Sequence, residues 1–205
     1  IRIVVDQEKN VRDFDEAAAA AGIVLHVLID LNVGTDRTGV AMGKPALALA
    51  RLIEGKKTLA LNGLQAYAGH IQHQTGWEYR RQYSEATMSE VVETKQLLEN
   101  EGLEVPILSG GGTGTYNIDS EIEGMSDVQV GSYLFMDVNY RNVGGRESVV
   151  FDDFRPSLLV LATAISQPAK GRITIDAGYK AFATDSDLPE LRDIRGVSYR
   201  WGGDE

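Results

Sequence analysis

The sequence predicts an α/β protein with a parallel sheet, either a barrel of the (β/α)8 TIM type or a doubly wound sheet, followed by the start of a β-rich domain. Over residues 1–153, short apolar runs alternate with segments of helical periodicity, and the connections between them are short. Beyond residue 153 no convincing helix separates the apolar runs. We therefore predict two domains: an α/β domain, residues 1–153, and part of a C-terminal β domain, residues 154–205.

Glycine and proline delimit the elements of the first half. Pro45 lies near the start of one apolar-periodic stretch and Gly55 just after its end, while Gly22 follows another. His26 lies inside an apolar run, where we expect a buried core residue. The predicted strands of this half are residues 3–5, 23–29 and 58–61, and the predicted helices are residues 11–21 and 44–54.

The second half begins with the longest predicted helix, residues 84–101, in which the apolar side chains form one stripe. A strand is predicted at residues 105–108. A further strand region, interrupted by glycine and serine, is predicted at residues 128–138. In the second domain, residues 158–165 and 172–175 have the composition of β-strands.

The composition excludes several classes of function. The chain of 205 residues carries a formal net charge of −10, so nucleic acid or an anionic membrane surface would repel it. The absence of cysteine excludes disulfides, thiolate nucleophiles and thiolate metal ligands within the chain. The longest apolar stretch, residues 158–165, is too short to span a bilayer as a helix. We expect neither a nucleic-acid nor a membrane partner, and the cytoplasm is the default location.

A glycine-rich loop follows the strand predicted at residues 105–108, with the sequence Ser-Gly-Gly-Gly-Thr-Gly-Thr-Tyr from Ser109 to Tyr116. Consecutive glycines at a strand end let backbone amides converge on an anion, and the threonine hydroxyls add donors. No lysine follows the glycines, as a Walker loop would require, and Thr115 stands where a dinucleotide fingerprint has its third glycine. The loop alone leaves two interpretations, a phosphate site or a plain tight turn.

Polar residues also crowd the ends of two other predicted strands. In the segment Asp30 to Gly39, Arg37 is a fixed positive charge that could hold a carboxylate or phenolate oxygen, or could pair with Asp30 or Asp36. The segment Gly63 to His73 contains two histidines three residues apart. They could bind a metal or transfer protons, but no carboxylate lies at suitable local spacing, which favours a role in the loop.

Taken in order, these segments resemble the family of D-threonine aldolase and eukaryotic-type D-serine dehydratase. Its members are pyridoxal phosphate enzymes whose barrel is related to that of alanine racemase. The resemblance therefore implies an incomplete (β/α)8 barrel of the TIM type over residues 1–153, which would bind the cofactor. The resemblance covers almost the whole chain, and several segments in the same order are far more specific than any one of them. The matching segments are Asp30 to Gly39, Gly63 to Gly69, Ser109 to Tyr116, Gly131 to Asp137 and Asp176 to Ala181.

The resemblance implies a role for each of ten residues. Gly111, Gly112 and Thr113 would bind the phosphate of pyridoxal 5′-phosphate. Arg37 would contact the ring oxygen of the cofactor, and Arg37 and Tyr67 are the expected catalytic residues. The residues expected to lie close to the phosphate loop are Gly131, Ser132 and Tyr133. Those expected to line the pocket for cofactor and substrate are Gln65, Tyr67 and Gln72.

The implied reaction is cleavage of the Cα–Cβ bond of a D-configured β-hydroxy amino acid, as in aldolases for D-threonine or D-3-hydroxyaspartate. The lysine that carries the cofactor would lie upstream of Ile1. The ligands of an activating divalent metal (Mn, Mg or Zn) would lie downstream of Glu205. Within this chain we predict no metal ligand. The 205-residue piece is therefore expected to be inactive alone, and a homodimer is compatible with the resemblance.

Three other functions stay open at this stage. A D-serine dehydratase-type enzyme would use the same cofactor but remove the β-hydroxyl group. A non-catalytic pyridoxal phosphate-binding barrel is disfavoured by the predicted β domain. A phosphate-sugar isomerase on a TIM barrel is disfavoured because no acid–base carboxylate is evident in the loops.

Overall fold

The computed structural model describes residues 1–183, 185–186 and 188–201 and contains a five-stranded parallel sheet within residues 1–131. The strands lie in sequence order across the sheet, and each pairs in parallel with the next. Helices connect them, so the predicted α/β class is confirmed. The strands are β1 (Arg2–Val5), β2 (Leu25–Asp30), β3 (Leu59–Ala66), β4 (Ile107–Gly110) and β5 (Asp127–Val128).

Three longer helices cover one face of this sheet. They are α1 (Glu8–Ala21), α2 (Lys44–Glu54) and α3 (Trp77–Asn100), and the short helix α4 (Tyr116–Asp119) follows β4. The bounds of α2 match the prediction, because Pro45 opens the helix and Gly55 caps it. Ile53 of α2 and Met88 of α3 are fully buried in the same apolar cluster as Ile29 of the sheet. Burial of such side chains is the main stabilising contribution to this layer.

The largest extensions beyond the predicted bounds are those of α3 and β3. Helix α3 begins at Trp77 rather than at residue 84. The prediction missed its first two turns because they have no apolar stripe; the ion pairs of Arg81 with Glu78 and Glu85 stabilise them instead. Strand β3 continues to Ala66 rather than ending at residue 61. It passes through Gly63, where a Cβ would lie 2.0 Å from the carbonyl oxygen of Ile107, so only glycine allows this approach of β4.

Two other predictions are wrong. The strand predicted at residues 128–138 is limited to Val128 and its neighbour Asp127, and the segment continues as a 3₁₀ turn and helix α5 (Val138–Asn142). Asp137 starts that helix by accepting a hydrogen bond from the Tyr140 amide at 2.8 Å. His26 is exposed rather than buried, because burial along β2 begins only at the next residue.

The contacts divide the chain into a first unit, Ile1–Gly131, and a second unit, Ser132–Glu205. The second unit contains α5 and an antiparallel hairpin of β6 (Ala164–Ala169) and β7 (Arg172–Ile175). Strand β7 has the predicted bounds, whereas the apolar run 158–163 contains no regular strand. The domain boundary between residues 153 and 154 remains a prediction. No helix in the described part of the chain is long and apolar enough to cross a membrane.

Candidate active site at the carboxyl ends of the strands

A row of polar side chains crosses the sheet near the carboxyl ends of four strands. The register aligns Asp30 of β2 with Gln65 of β3, Gln65 with Ser109 of β4, and Ser109 with Asp127 of β5. Register-aligned residues of a parallel sheet point to the same face, and successive residues alternate between faces. The row therefore lies on the face opposite to the helices.

The preceding row confirms this division of the faces. It consists of Val5, Ile29, Leu64 and Leu108, which are all buried in the cluster that the helices cover. The carboxyl edge of parallel strands is where barrel enzymes place ligand-binding groups. The polar row is thus the part of this sheet where a ligand would be bound.

Hydrogen bonds connect the members of the polar row. The Gln65 side-chain amide donates to Asp30 Oδ1 at 3.1 Å. Gln129, just after β5, donates from its side chain to Gln65 Oε1 at 3.3 Å and to Ser109 Oγ at 2.9 Å. The Ser109 hydroxyl donates to Asp127. Because an ionised Asp30 only accepts, it fixes which end of the Gln65 carboxamide faces Gln129.

The loop after β2 contributes Arg37, which is exposed. Asp30 Oδ2 accepts from the Thr38 hydroxyl at 2.7 Å, and Asp36 accepts from the Asn32 amide at 2.8 Å. Among the described residues, neither aspartate forms an ion pair with Arg37. The guanidinium group is thereby left available at the rim of the sheet, and the alternative that it pairs with Asp30 or Asp36 is not observed.

The glycine-rich loop continues directly from the end of β4, and its residues Gly111 to Thr115 are all buried. Gly111 has a φ of 65°, in the left-handed region that favours glycine. A Cβ on Gly112 would lie 2.6 Å from the side-chain oxygen of Gln72, and a Cβ on Gly114 would lie 2.1 Å from the Gln72 backbone oxygen. The close packing of this loop therefore requires glycine.

The carbonyl groups of the loop are turned into the protein. The backbone amide of Gln129 donates to the carbonyls of Gly110, at 2.9 Å, and Gly111, at 3.1 Å. The Gly112 carbonyl accepts from the Thr115 amide at 3.1 Å. Since C=O and N–H of one trans peptide point in opposite directions, the Thr113 N–H points out of the turn. The amides of Gly112, Gly114 and Thr115 donate to acceptors of the protein. The Thr113 N–H is therefore the backbone donor of this turn whose direction fits an anion such as a phosphate group.

Hydrogen bonds of the buried Gln72 side chain hold the glycine-rich loop in place. It is 1% exposed, its amide donates to Ala68 O at 3.3 Å and to Thr115 Oγ1 at 2.9 Å, and its oxygen accepts from the Gly114 amide at 3.0 Å. The partly exposed ring of Tyr67 lies against Gly112, with Cε2 at 3.2 Å from the position of a Cβ there. Both residues that we expected to line the pocket therefore contact the loop, while their contacts with a ligand stay predictions.

A buried acidic residue lies beneath the same loop. Asp119, at the end of α4, is 1% exposed and accepts hydrogen bonds from the hydroxyl of Ser84 and from Thr115 Oγ1, the latter at 2.5 Å. Burial raises the pKa of Asp119, and the two hydrogen bonds oppose that rise in part. The Gly114 amide can only donate, so Gln72 presents its oxygen to it and its NH₂ to Thr115, which in turn donates to Asp119.

A buried arginine also contacts the glycine-rich loop. Arg80, in the first turn of α3, has no exposed surface, and its guanidinium group donates to the carbonyls of Gly114 at 2.9 Å and Gln74 at 2.7 Å. Sequence reasoning missed both Arg80 and Asp119. A buried charge in a polar helix turn gives no periodic signal, and these contacts join residues more than thirty positions apart.

The remaining predicted residues are not brought into this group. His70 is exposed beside the loop after β2, where its ring lies 3.8 Å from the position of a Cβ on Gly34, and His73 is exposed as well. Within the described ranges, no three acidic or histidine side chains form a group that could hold a metal ion. Gly131 ends the first unit, Ser132 begins the second, and the Tyr133 ring packs against Phe154 with centroids 5.4 Å apart. Cofactor contacts of these three residues stay predictions.

Comparison with known proteins gives a consistent set of relatives. The chain is 31% identical over its whole length to the 3-hydroxy-D-aspartate aldolase of Paracoccus denitrificans strain Pd 1222, of which it covers 54%. It is 33% identical to the D-threonine aldolase of an Arthrobacter species, of which it covers 53%. The chain therefore spans about half the length of the curated relatives it matches.

Solved structures agree with these matches. The crystal structure of D-threonine aldolase from Filomicrobium marinum superimposes with a TM-score of 0.88 at 33% identity, over 98% of this chain and 54% of that one. D-threo-3-hydroxyaspartate dehydratase from Delftia sp. HT23 gives a TM-score of 0.74 at 26% identity, over 90% of this chain and 48% of that one. The predicted resemblance and the TIM-type fold are confirmed. A family model for the N-terminal domain of alanine racemase matches residues 1–139, and the chain belongs to that family.

Proposed function

We propose that the full-length protein is a pyridoxal phosphate-dependent lyase that cleaves the Cα–Cβ bond of D-configured β-hydroxy amino acids. The observation that carries the proposal is the glycine-rich loop, whose carbonyls are occupied by donors of the protein at the carboxyl edge of a parallel sheet. The aldolase relatives support the substrate class. D-Threonine and D-3-hydroxyaspartate are the two substrates to test first.

In this proposal the loop of Gly111, Gly112 and Thr113 binds the phosphate of the cofactor. The backbone brings the Thr113 amide close to the anion. A side chain at Gly112 would prevent this by displacing Gln72 and Tyr67. The Thr113 hydroxyl supplies a further donor. Hydrogen bonds from backbone and hydroxyl groups to an ionised acceptor are roughly twice as strong as bonds between neutral groups.

The polar row and Arg37 act on the ring and the substrate. Pyridoxal phosphate supplies an electron sink for the bond that breaks. Arg37 stabilises negative charge at the ring oxygen, because its planar cation can form a bidentate contact there. Gln65 is held by Asp30 in one orientation, and the partly exposed Tyr67 lies against Gly112. By the resemblance, Gly131, Ser132 and Tyr133 would be close to the phosphate and Gln72 would line the pocket.

Three further features belong to the full-length protein. A divalent metal, bound by ligands outside this chain, would ease loss of the proton from the β-hydroxyl group of the substrate. The protein works in the cytoplasm, and a homodimer is compatible with the relationship. The second candidate function is β-elimination of the hydroxyl group, which is favoured by the 28% identity to D-threo-3-hydroxyaspartate dehydratase of Delftia sp. strain HT23.

The products of the reaction distinguish the two candidates. The full-length protein is incubated with pyridoxal phosphate, a divalent metal and each D-amino acid, and amino acid, aldehyde, keto acid and ammonia are measured. An aldolase yields glycine and an aldehyde, whereas a dehydratase yields a keto acid and ammonia. Absence of both product pairs, together with no absorbance band from added pyridoxal phosphate, would reject the proposal.

We predict that Thr113→Ala weakens pyridoxal phosphate binding by about 1–2 kcal/mol, the value of a lost charge-assisted hydrogen bond. The measurement is a spectrophotometric titration of the full-length apoprotein. Thr75→Ala, at an exposed threonine outside the loop, is the control and should leave the affinity unchanged. Equal affinity of the Thr113 variant and the wild type would show that the loop does not bind the phosphate.

We also predict that Arg37→Lys lowers turnover about tenfold, which corresponds to about 1.4 kcal/mol of transition-state stabilisation. Cofactor loading should change much less, because the phosphate loop is untouched. A point charge does not replace a planar, bidentate contact. Steady-state kinetics and cofactor content are compared with those of Arg12→Lys, which changes an exposed arginine of α1. Unchanged turnover would remove Arg37 from the catalytic residues.

A further inference from the structure

Arg80 is a buried cation in contact with the glycine-rich loop. It lies in the first turn of α3 with no exposed surface, and it bridges two segments by donating to the carbonyls of Gln74 and Gly114. Burying a charged side chain is unfavourable unless hydrogen bonds and opposite charge compensate for the lost hydration. The bonds to these two carbonyls fix the guanidinium group between the Gln74 segment and the glycine-rich loop.

The bond from Arg80 sets the orientation of the loop. It draws the Gly114 carbonyl into the protein, while Gln72 holds the amide of the same residue at 3.0 Å. With both polar groups of Gly114 held, the turn between Gly112 and Thr115 closes through their 3.1 Å hydrogen bond. The Thr113 N–H points out of that closed turn. Arg80 therefore fixes the Gly114–Thr115 peptide, whose N–H donates to the Gly112 carbonyl. Through that bond it orients the Gly112–Thr113 peptide, which carries the outward N–H.

Arg80 also acts through its charge. Charges inside a protein interact more strongly than charges in water, because the surroundings are less polarisable. The guanidinium group brings a positive charge next to the loop. Asp119 contacts the same loop through Thr115, and burial raises its pKa, which weakens the opposing negative charge. The balance of the two buried groups makes the loop a more favourable site for a dianion.

We propose that Arg80 is a positioning residue that sets the affinity of the glycine-rich loop for a phosphate monoester without touching the phosphate. This inference rests on the proposed function. It also has a consequence that a purely structural role lacks: loss of Arg80 should weaken binding of the phosphorylated cofactor selectively. Binding of the same ring without its phosphate should change little.

The test compares pyridoxal phosphate with pyridoxal on the full-length protein. Arg80→Met is expected to raise the dissociation constant for pyridoxal phosphate by about tenfold or more, and that for pyridoxal by no more than about twofold. Arg80→Lys retains the charge but loses the planar fork, so a smaller loss with the same selectivity is expected. The control is Arg81→Met, which removes the neighbouring arginine with its ion pairs to Glu78 and Glu85. It should change neither constant.

The outcomes separate the inference from the proposed function. Equal losses of affinity for pyridoxal phosphate and pyridoxal in Arg80→Lys, or no loss for either, would overturn the inference. The proposed function would still stand, because the wild type binds pyridoxal phosphate in that case. A wild-type protein that binds neither ligand would overturn both. If Arg80→Met does not fold, Arg80→Lys alone tests the inference, because the measured quantity is the change in its dissociation constant for pyridoxal phosphate relative to that for pyridoxal.

Discussion

Gly114→Ala is expected to lower the free energy of unfolding of the full-length apoprotein by about 3 kcal/mol, the upper part of the usual range for overpacking a well-packed site. The new Cβ would lie 2.1 Å from the backbone oxygen of Gln72 and 2.9 Å from its carbonyl carbon. A flexible side chain could move aside, but here the obstacle is backbone. The loop or the segment around Gln72 must shift, and the bond from the Gly114 amide to Gln72 is then lost.

Thermal unfolding measures this effect, with Gly55→Ala as the control. Gly55 caps α2 with a φ of −71°, and the nearest atom to a Cβ there is 3.5 Å away, which is an ordinary contact. The melting temperature of Gly55→Ala should stay close to that of the wild type. If Gly114→Ala unfolds at the wild-type temperature as well, the close approach of the loop to Gln72 does not exist in solution.

Asp119→Asn is expected to make the protein more stable than the wild type at neutral pH. Burial raises the pKa of Asp119 above its ordinary value of 3.8, so the folded state favours the protonated form. The stability this group provides is fully present below pH 3.8 and is lost as the pH rises through the raised pKa. Asparagine is neutral throughout, and its oxygen can still accept from Thr115 while Ser84 accepts from its amide.

Chemical denaturation over a series of pH values measures the difference. The advantage of Asp119→Asn should be largest at neutral pH and should shrink as the pH falls towards 4. The control is Asp13→Asn, at an exposed aspartate of α1 that pairs with Lys9, which should show only the small effect of a surface ion pair. A variant that is less stable than the wild type at neutral pH would show that Asp119 is ionised and stabilising in the fold.

The sequence predicts those elements whose ends carry a local signal. Pro45 and Gly55 delimit α2, and Gly22 adopts the left-handed conformation that ends α1. The start of α3 carries no such signal, because its first turns have no apolar stripe and one of their arginines is buried by contacts from elsewhere in the chain. Likewise Gly63, which suggests a break, is a strand residue whose missing side chain makes room for β4.

The candidate site likewise contains some residues that the sequence reveals and others that it does not. Polar residues at strand ends, such as Asp30 and Ser109, are visible in the sequence because parallel strands bring their carboxyl ends to one edge. The partners that orient them are not visible. Gln129 reaches across to Gln65 over sixty-four positions, and Arg80 reaches the loop over thirty-four. Such pairings depend on the register of the sheet and the packing of α3, which a single sequence does not encode locally.

The most direct measurement of the central claim is a crystal structure of the full-length protein with pyridoxal phosphate bound. The account predicts phosphate oxygens at about 2.7–3.2 Å from the amide nitrogen of Thr113, with the Gly114 carbonyl still bonded to Arg80. A phosphate bound away from this loop, or a loop with its carbonyls turned towards the phosphate, would contradict it.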